Sequence, residues 1–138
     1  MAKIRHIAIA TQKLDETVEF YQNVFGLKVV GRLDAPTARG ALMTDGDLNL
    51  TLLDLKTDEA ADHFGKDYEG LHHIGILVED VEEVRRKLEE MGKEIRRPGE
   101  GAVEGDGVYF AFKSSDPNHV ILDITAAEVG WPGAKSLD

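Results

Sequence analysis

Apolar and polar residues alternate at the front of the chain. In KIRHIAIA, Ile4, His6, Ala8 and Ala10 fall on one face of an extended segment, while Ile7 and Ile9 fall on the other. The period then changes to that of a helix: Leu14, Val18, Tyr21 and Phe25 recur on one side until Gly26 stops the run. Asp15 is the expected N-cap, with Glu16 and Glu19 near the positive end of the helix. Phe20, Tyr21 and Phe25 are expected in the helix core. Three further strands are predicted over LKVVGRL, GALMTD and DLNLTLLDL, separated by Asp34-Ala35-Pro36 and by Asp45-Gly46, a hairpin signal.

From Leu71 the same order begins again. LHHIGILV alternates, Val81, Val84, Leu88 and Met91 keep helical spacing, and Gly92 ends the run. A shift of 67 residues, the difference between His6 and His73, lays His6-Ile7-Ala8-Ile9 on His73-Ile74-Gly75-Ile76. Strands over KEIRR, VYFAFKS and HVILDIT complete the second unit, so both halves read β-α-β-β-β. The predicted organisation is one domain over residues 1–138: module one at 3–55, a connection at 56–70, module two at 71–126 and a tail at 127–138. Gly130, Pro132 and Gly133 oppose regular structure in that tail, and Trp131 is expected to anchor it to the body or to a partner chain.

Composition limits the partners. A chain of 138 residues that is 42% hydrophobic can bury one core. Its net charge of -10 repels phosphate backbones and anionic lipid. The basic run Arg85-Arg86-Lys87 lies among Glu82, Glu83, Glu89 and Glu90 and reads as a salt-bridged solvent face, so nucleic acid is discarded as a partner. There are no cysteines, so a metal would rest on nitrogen and oxygen donors. Without an apolar run long enough to span a bilayer or a signal-type segment, no membrane partner is expected, and the cytoplasm is the expected location. Gly99, Gly101, Gly105 and Gly107 do not lead from a strand into a helix and so form no phosphate cradle; a lid is the role considered for them.

The alternation puts candidate chemistry on one face. Leu71, His73, Gly75 and Leu77 share a face, as do His6 and Ala8 in the first unit, and the small residues are expected to leave open space beside each histidine. Asp123 lies between Ile121 and Thr125 in an apolar strand, where an ionised carboxylate is costly unless it is paired or bound to a cation. Two imidazoles and a carboxylate are a set that holds a borderline divalent ion and leaves positions open for substrate. His72 is expected on the opposite face, His63 in the connection and His119 in the turn after Asp116-Pro117-Asn118.

RHIAIATQKLDETVEFYQNVFGLKVV, GLHHIGILVEDVEEVRRKLEEMG and SSDPNHVILDI resemble the vicinal oxygen chelate superfamily, which includes glyoxalase I, methylmalonyl-CoA epimerase, extradiol dioxygenases, fosfomycin resistance enzymes and metal-free bleomycin-binding proteins. The resemblance implies an α+β fold in which tandem βαβββ modules form a curved, open-barrel mixed sheet with the helices outside. It implies metal ligation by His6, His73 and Asp123, with one divalent ion (Fe, Mn, Ni, Co or Zn) as cofactor. The further ligand of glyoxalase and epimerase members, a Glu or Gln, maps to Asn49 or Thr51. Tyr109 and His119 are loose matches to the Tyr and His that stand near the metal ligands of the extradiol enzymes. The implied activity is a metal-dependent lyase, isomerase or dioxygenase acting on a small oxygen-chelating substrate, in a homodimer. The alternative is a metal-free protein that binds a small ligand, of the bleomycin-resistance type.

Overall fold

The computed structural model describes residues 1–98 and 109–138. The first alternation forms β1 (Lys3–Ala10), the helical period forms α1 (Leu14–Phe25), and the next three segments form β2 (Lys28–Asp34), β3 (Ala38–Thr44) and β4 (Asn49–Leu55). The second round gives β5 (Gly70–Val78), α2 (Val81–Glu90), β6 (Phe112–Ser115) and β7 (Ile121–Ala126). The described strands make one open mixed sheet in the order β2-β3-β4-β1-β5-β7-β6. β1 and β5 pair antiparallel at its centre, and each has a parallel neighbour from its own unit, β4 for β1 and β7 for β5. Matching β1 with β5, β4 with β7 and β3 with β6 therefore maps one half of the sheet on the other.

The expected strand over KEIRR is reduced to one isolated bridge, Arg96 to Lys113. Pro98 follows closely and has no N–H with which to extend a ladder. The glycines considered for a lid, Gly99, Gly101, Gly105 and Gly107, lie outside the described residues, as does Val108 at the start of VYFAFKS.

Each helix covers one half of the sheet's outer face. Leu14 and Val18 of α1 pack on Ala41, Met43 and Leu52, with Ile9 and Tyr21 alongside. Gly26 ends the helix in the left-handed region at φ 71°. Asp15 is not the N-cap: the Thr11 hydroxyl accepts from the Lys13 amide at 2.9 Å, and the helix begins at Leu14. Asp15 instead sits in the first turn and pairs with Arg39 at 2.9 Å. Nor do all three aromatics enter the core, because Phe20 is 51% and Phe25 63% exposed. Phe20 lies about 200° around the helix from the buried Val18, and Phe25 is the last helical residue.

On α2, Val81, Val84 and Leu88 pack against Val78, Phe112 and Ile124. The Asp80 carboxylate caps the helix, accepting from the Glu83 amide at 3.0 Å. Its outer face has the expected ion pairs, Arg85 with Glu82 and Glu89 at 2.7 Å each. With both helices on one face, the opposite face of the sheet is left to line a cavity of about 710 Å³.

Candidate metal centre

Strand register assembles the centre. Asn49 on β4 lies opposite His6 on β1, His6 opposite Gly75 on β5, Gly75 opposite Asp123 on β7, and Asp123 opposite Lys113 on β6. This row crosses five strands, and its side chains share the cavity face. His73 stands in the adjacent row, between Ala8 and Ile121. The structure brings His6, His73 and Asp123 together, all buried. His6 Nε2 lies 3.0 Å from His73 Nε2, and His73 Nε2 lies 3.0 Å from Asp123 Oδ2.

The surrounding hydrogen bonds decide which ring nitrogens carry protons. Thr51 Oγ1 donates to Asn49 Oδ1 at 2.6 Å and Asn49 Nδ2 donates to the Pro132 carbonyl at 2.9 Å, so Oδ1 faces His6 as an acceptor. His6 Nδ1 donates to that oxygen at 2.7 Å, which leaves Nε2 with a lone pair. On the other side, the Ala61 carbonyl can only accept, so His72 Nε2 donates to it at 2.8 Å. His72 Nδ1 is then an acceptor for His73 Nδ1–H at 2.8 Å, and His73 Nε2 is left with a lone pair as well.

Two imidazole lone pairs and a carboxylate oxygen thus converge on one point. Their mutual repulsion is relieved only by a proton or a cation between them. Donors about 2.1 Å from a common divalent ion and at right angles to each other lie about 3.0 Å apart, which is the separation of His73 Nε2 from His6 Nε2 and from Asp123 Oδ2; all three side chains have a donor atom within 4.8 Å of the others. The residues fit such an ion, and braced histidines of this kind are the usual supports of a metal ligand.

Burial disfavours the charged form of the His6 and His72 rings. Burial pushes His6 down to about 4, and a proton on His73 Nε2 in place of the cation adds to the effect. Burial likewise pushes His72 down to about 4. Burial alone would raise Asp123, but a His73 that carries the bridging proton in place of a cation, and the Lys113 ammonium, each by charge and hydrogen bond, overcome it and hold the carboxyl well below the usual carboxylate range. Lys113 Nζ donates to Asp123 Oδ1 and stands over the Phe110 ring, 4.3 Å from its centroid.

Several positions differ from the reading of alternation. His72 does not face away from the cavity: Ala8 is opposite His73 while Ile9 is opposite Leu71, so His72 is the extra residue of a β-bulge and its ring turns inward. Gly75 does not leave open space either. A Cβ there would stand 2.6 Å from the Trp131 ring and 2.7 Å from His6 Cβ, because the indole fills that gap. Asn49 is engaged by His6 and Thr51 and supports the centre from behind. By register Thr51 is the counterpart of Asp123, since Thr51 is opposite Ala8 as Asp123 is opposite Gly75. Tyr109 lines the cavity wall. His119, in a turn at φ 64°, borders a separate polar cavity of about 180 Å³ with His63 and Ser114.

Sequence reasoning missed His72 and Lys113. A bulge has no signature in the alternation that conceals it. Lys113 was accessible in principle, because the hairpin around Asp116-Pro117-Asn118 sets its register opposite Asp123.

The sequence model of the Glyoxalase/Bleomycin resistance protein/Dioxygenase superfamily matches residues 3–124. The chain is similar to Glyoxylase I 4 of Arabidopsis thaliana, 25% identical over 126 residues that cover 90% of this chain and 70% of that protein. It is also similar to lactoylglutathione lyase of Neisseria meningitidis, 27% identical over 100 residues that cover 69% of this chain and 70% of that one. Among solved structures, methylmalonyl-CoA epimerase in complex with methylmalonyl-CoA and NH4+ matches with a TM-score of 0.70 at 25% identity, covering 96% of this chain and 99% of that chain. A hypothetical protein from Bacillus halodurans matches at 0.69 and 27% identity, over 91% of this chain and 94% of that chain.

Proposed function

Since the chain belongs to the glyoxalase/bleomycin resistance protein/dioxygenase superfamily, we propose that it is a divalent-metal-dependent enzyme of lyase or isomerase kind, acting on a small anionic substrate that chelates through adjacent oxygens. The observation that carries this reading is the convergence of His6 Nε2, His73 Nε2 and Asp123 Oδ2, with both imidazoles held by their Nδ1 protons so that their lone pairs meet. The relatives named lactoylglutathione lyase and methylmalonyl-CoA epimerase support the reaction class.

His6, His73 and Asp123 would hold the ion, which supplies Lewis acidity toward a carbonyl or enolate oxygen. Lys113 occupies Asp123 Oδ1, which leaves Oδ2 free to face the histidines. The Lys113 ammonium borders the cavity and favours an anion there, within a protein whose net charge is -10. Leu33, Leu42, Leu53 and Leu55 line the cavity and receive the apolar part of the substrate, keeping water from the oxygens being polarised. A volume of about 710 Å³ suits a metabolite-sized ligand. Thr51, at the counterpart of Asp123, adds no carboxylate, so an ion here would be held by three protein side chains.

Metal analysis of protein purified without chelator tests the reading. About one equivalent of Fe, Mn, Ni, Co or Zn is expected, lost in His6→Ala and His73→Ala. Less than a tenth of an equivalent, unchanged on adding these ions, would instead favour a metal-free binder of small ligands. One observation favours that second reading: Asp123 already has Lys113 as a counter-charge.

A further inference from the structure

The C-terminal tail approaches the centre from the side of the first unit. Trp131, 6% exposed, lies flat on the His6 imidazole with centroids 4.8 Å apart and planes 5° from parallel. The next residue supplies the carbonyl that holds the Asn49 amide, at 2.9 Å. Asn49 in turn accepts the His6 Nδ1 proton. Beyond this pair the tail is fastened at three points. Thr44 Oγ1 donates to the Gly133 carbonyl at 2.8 Å, the Lys135 amide donates to the Asp47 carbonyl at 3.0 Å, and the Arg5 guanidinium donates to the Ser136 carbonyl at 2.9 Å. Gly133 meets Thr44 so closely that a Cβ would stand 2.5 Å from Thr44 Cβ. Gly75 is the matching recess on the sheet, since only a residue without Cβ admits the indole beside His6.

We propose that the C-terminal tail is the positioning element of the metal centre: Trp131 and Pro132 fix the plane and the tautomer of His6 so that its Nε2 faces His73 and Asp123. The proposal rests on the reading of this triad as a metal site. An imidazole that rotates about its Cα–Cβ and Cβ–Cγ bonds loses that direction. Here the stacked indole restricts the plane of the ring, and the amide held by the tail fixes which nitrogen carries the proton. His73 has no such dependence, because its brace runs through His72 to Ala61. Tail docking and ion binding are therefore coupled, and the coupling is reciprocal: a bound ion holds the tail down by the same factor that the docked tail tightens the ion.

Titration calorimetry with Ni²⁺ on the full chain tests this. Trp131→Ala is expected to weaken Ni²⁺ binding about 10- to 100-fold, as loss of an outer support does at other metal sites. Trp131→Phe keeps a stacking ring and is expected to stay within about threefold. Trp131 is the only tryptophan, so its fluorescence should fall to a stoichiometric end-point as Ni²⁺, whose open d shell accepts excitation energy at short range, fills the site. On the wild-type chain, saturating Zn²⁺ should slow removal of the tail by a carboxypeptidase, a readout that does not depend on any variant folding. Equal Ni²⁺ affinity in folded Trp131→Ala, or a tail cleaved at the same rate with and without Zn²⁺, overturns the proposal while the metal reading stands. A wild-type chain that takes up neither ion overturns both.

Discussion

Gly75→Ala is the smallest change that should disturb the centre without touching a ligand. The added methyl would lie 2.6 and 2.7 Å from two ring atoms of Trp131 and 2.7 Å from His6 Cβ. Carbon atoms rest at about 3.5–4.0 Å, so about 1 Å of movement is required. His6 sits on β1 between β4 and β5 and cannot retreat; the indole, on an irregular segment, is the group that yields. Overpacking of this kind costs about 1–3 kcal/mol, or roughly 4–10 °C in Tm for a chain of this size. Thermal unfolding followed by far-ultraviolet circular dichroism gives the loss. Tryptophan emission gives its cause, since an indole displaced from its buried seat should emit further to the red. In a Trp131→Ala background the penalty of Gly75→Ala should shrink by about 1 kcal/mol or more, the sign of direct contact, although the approach to His6 Cβ persists. A single variant with unchanged Tm and unchanged emission refutes this account of why glycine stands at 75.

Two further outcomes follow from the braces around the histidines. His6 and His72 are pushed down to about 4 from 6.5, first by burial. The unfolded chain therefore takes up their protons from about pH 6.5 downward while the folded chain resists until about pH 4. Stability is complete above the unfolded value and falls as pH drops from 6.5 to 4. At pH 5 the loss is about 2 kcal/mol per histidine, from 1.5 pH units at about 1.4 kcal/mol each. Urea denaturation of chelator-treated protein at pH 7 and pH 5 measures it, and equal free energies would contradict neutral buried imidazoles. His72→Leu removes the acceptor of His73 Nδ1–H and leaves the Ala61 carbonyl without its donor. Zn²⁺ affinity in competition with a chelating dye should drop about tenfold or more, and wild-type affinity in this variant would show that His72 has no part in the centre.

The repeat, the order of its elements apart from the strand expected over KEIRR, and the face carrying His6, His73 and Asp123 were legible in the sequence, because periods of 2 and 3.6 are local properties of a chain and a shift of 67 residues is visible without coordinates. The apolar cover of each helix was also legible where spacing alone governs it, at Leu14, Val18, Val84 and Leu88. What alternation could not express is a departure from itself. The bulge at His72 turns a residue inward that strict alternation turns outward, and it depends on how β5 pairs with β1, a contact between residues distant in the chain. Gly75 has the same lesson in another form. A glycine beside a histidine reads as a gap, but the gap is filled by Trp131, 56 residues later by subtraction of the two numbers. The sequence by itself determined which donors the chain possesses and which strands carry them. Tertiary structure alone decided which nitrogens are left with lone pairs, because that depends on Asn49, Thr51, Ala61 and Pro132, groups that reach the histidines only when the sheet, the connection and the tail have closed around them.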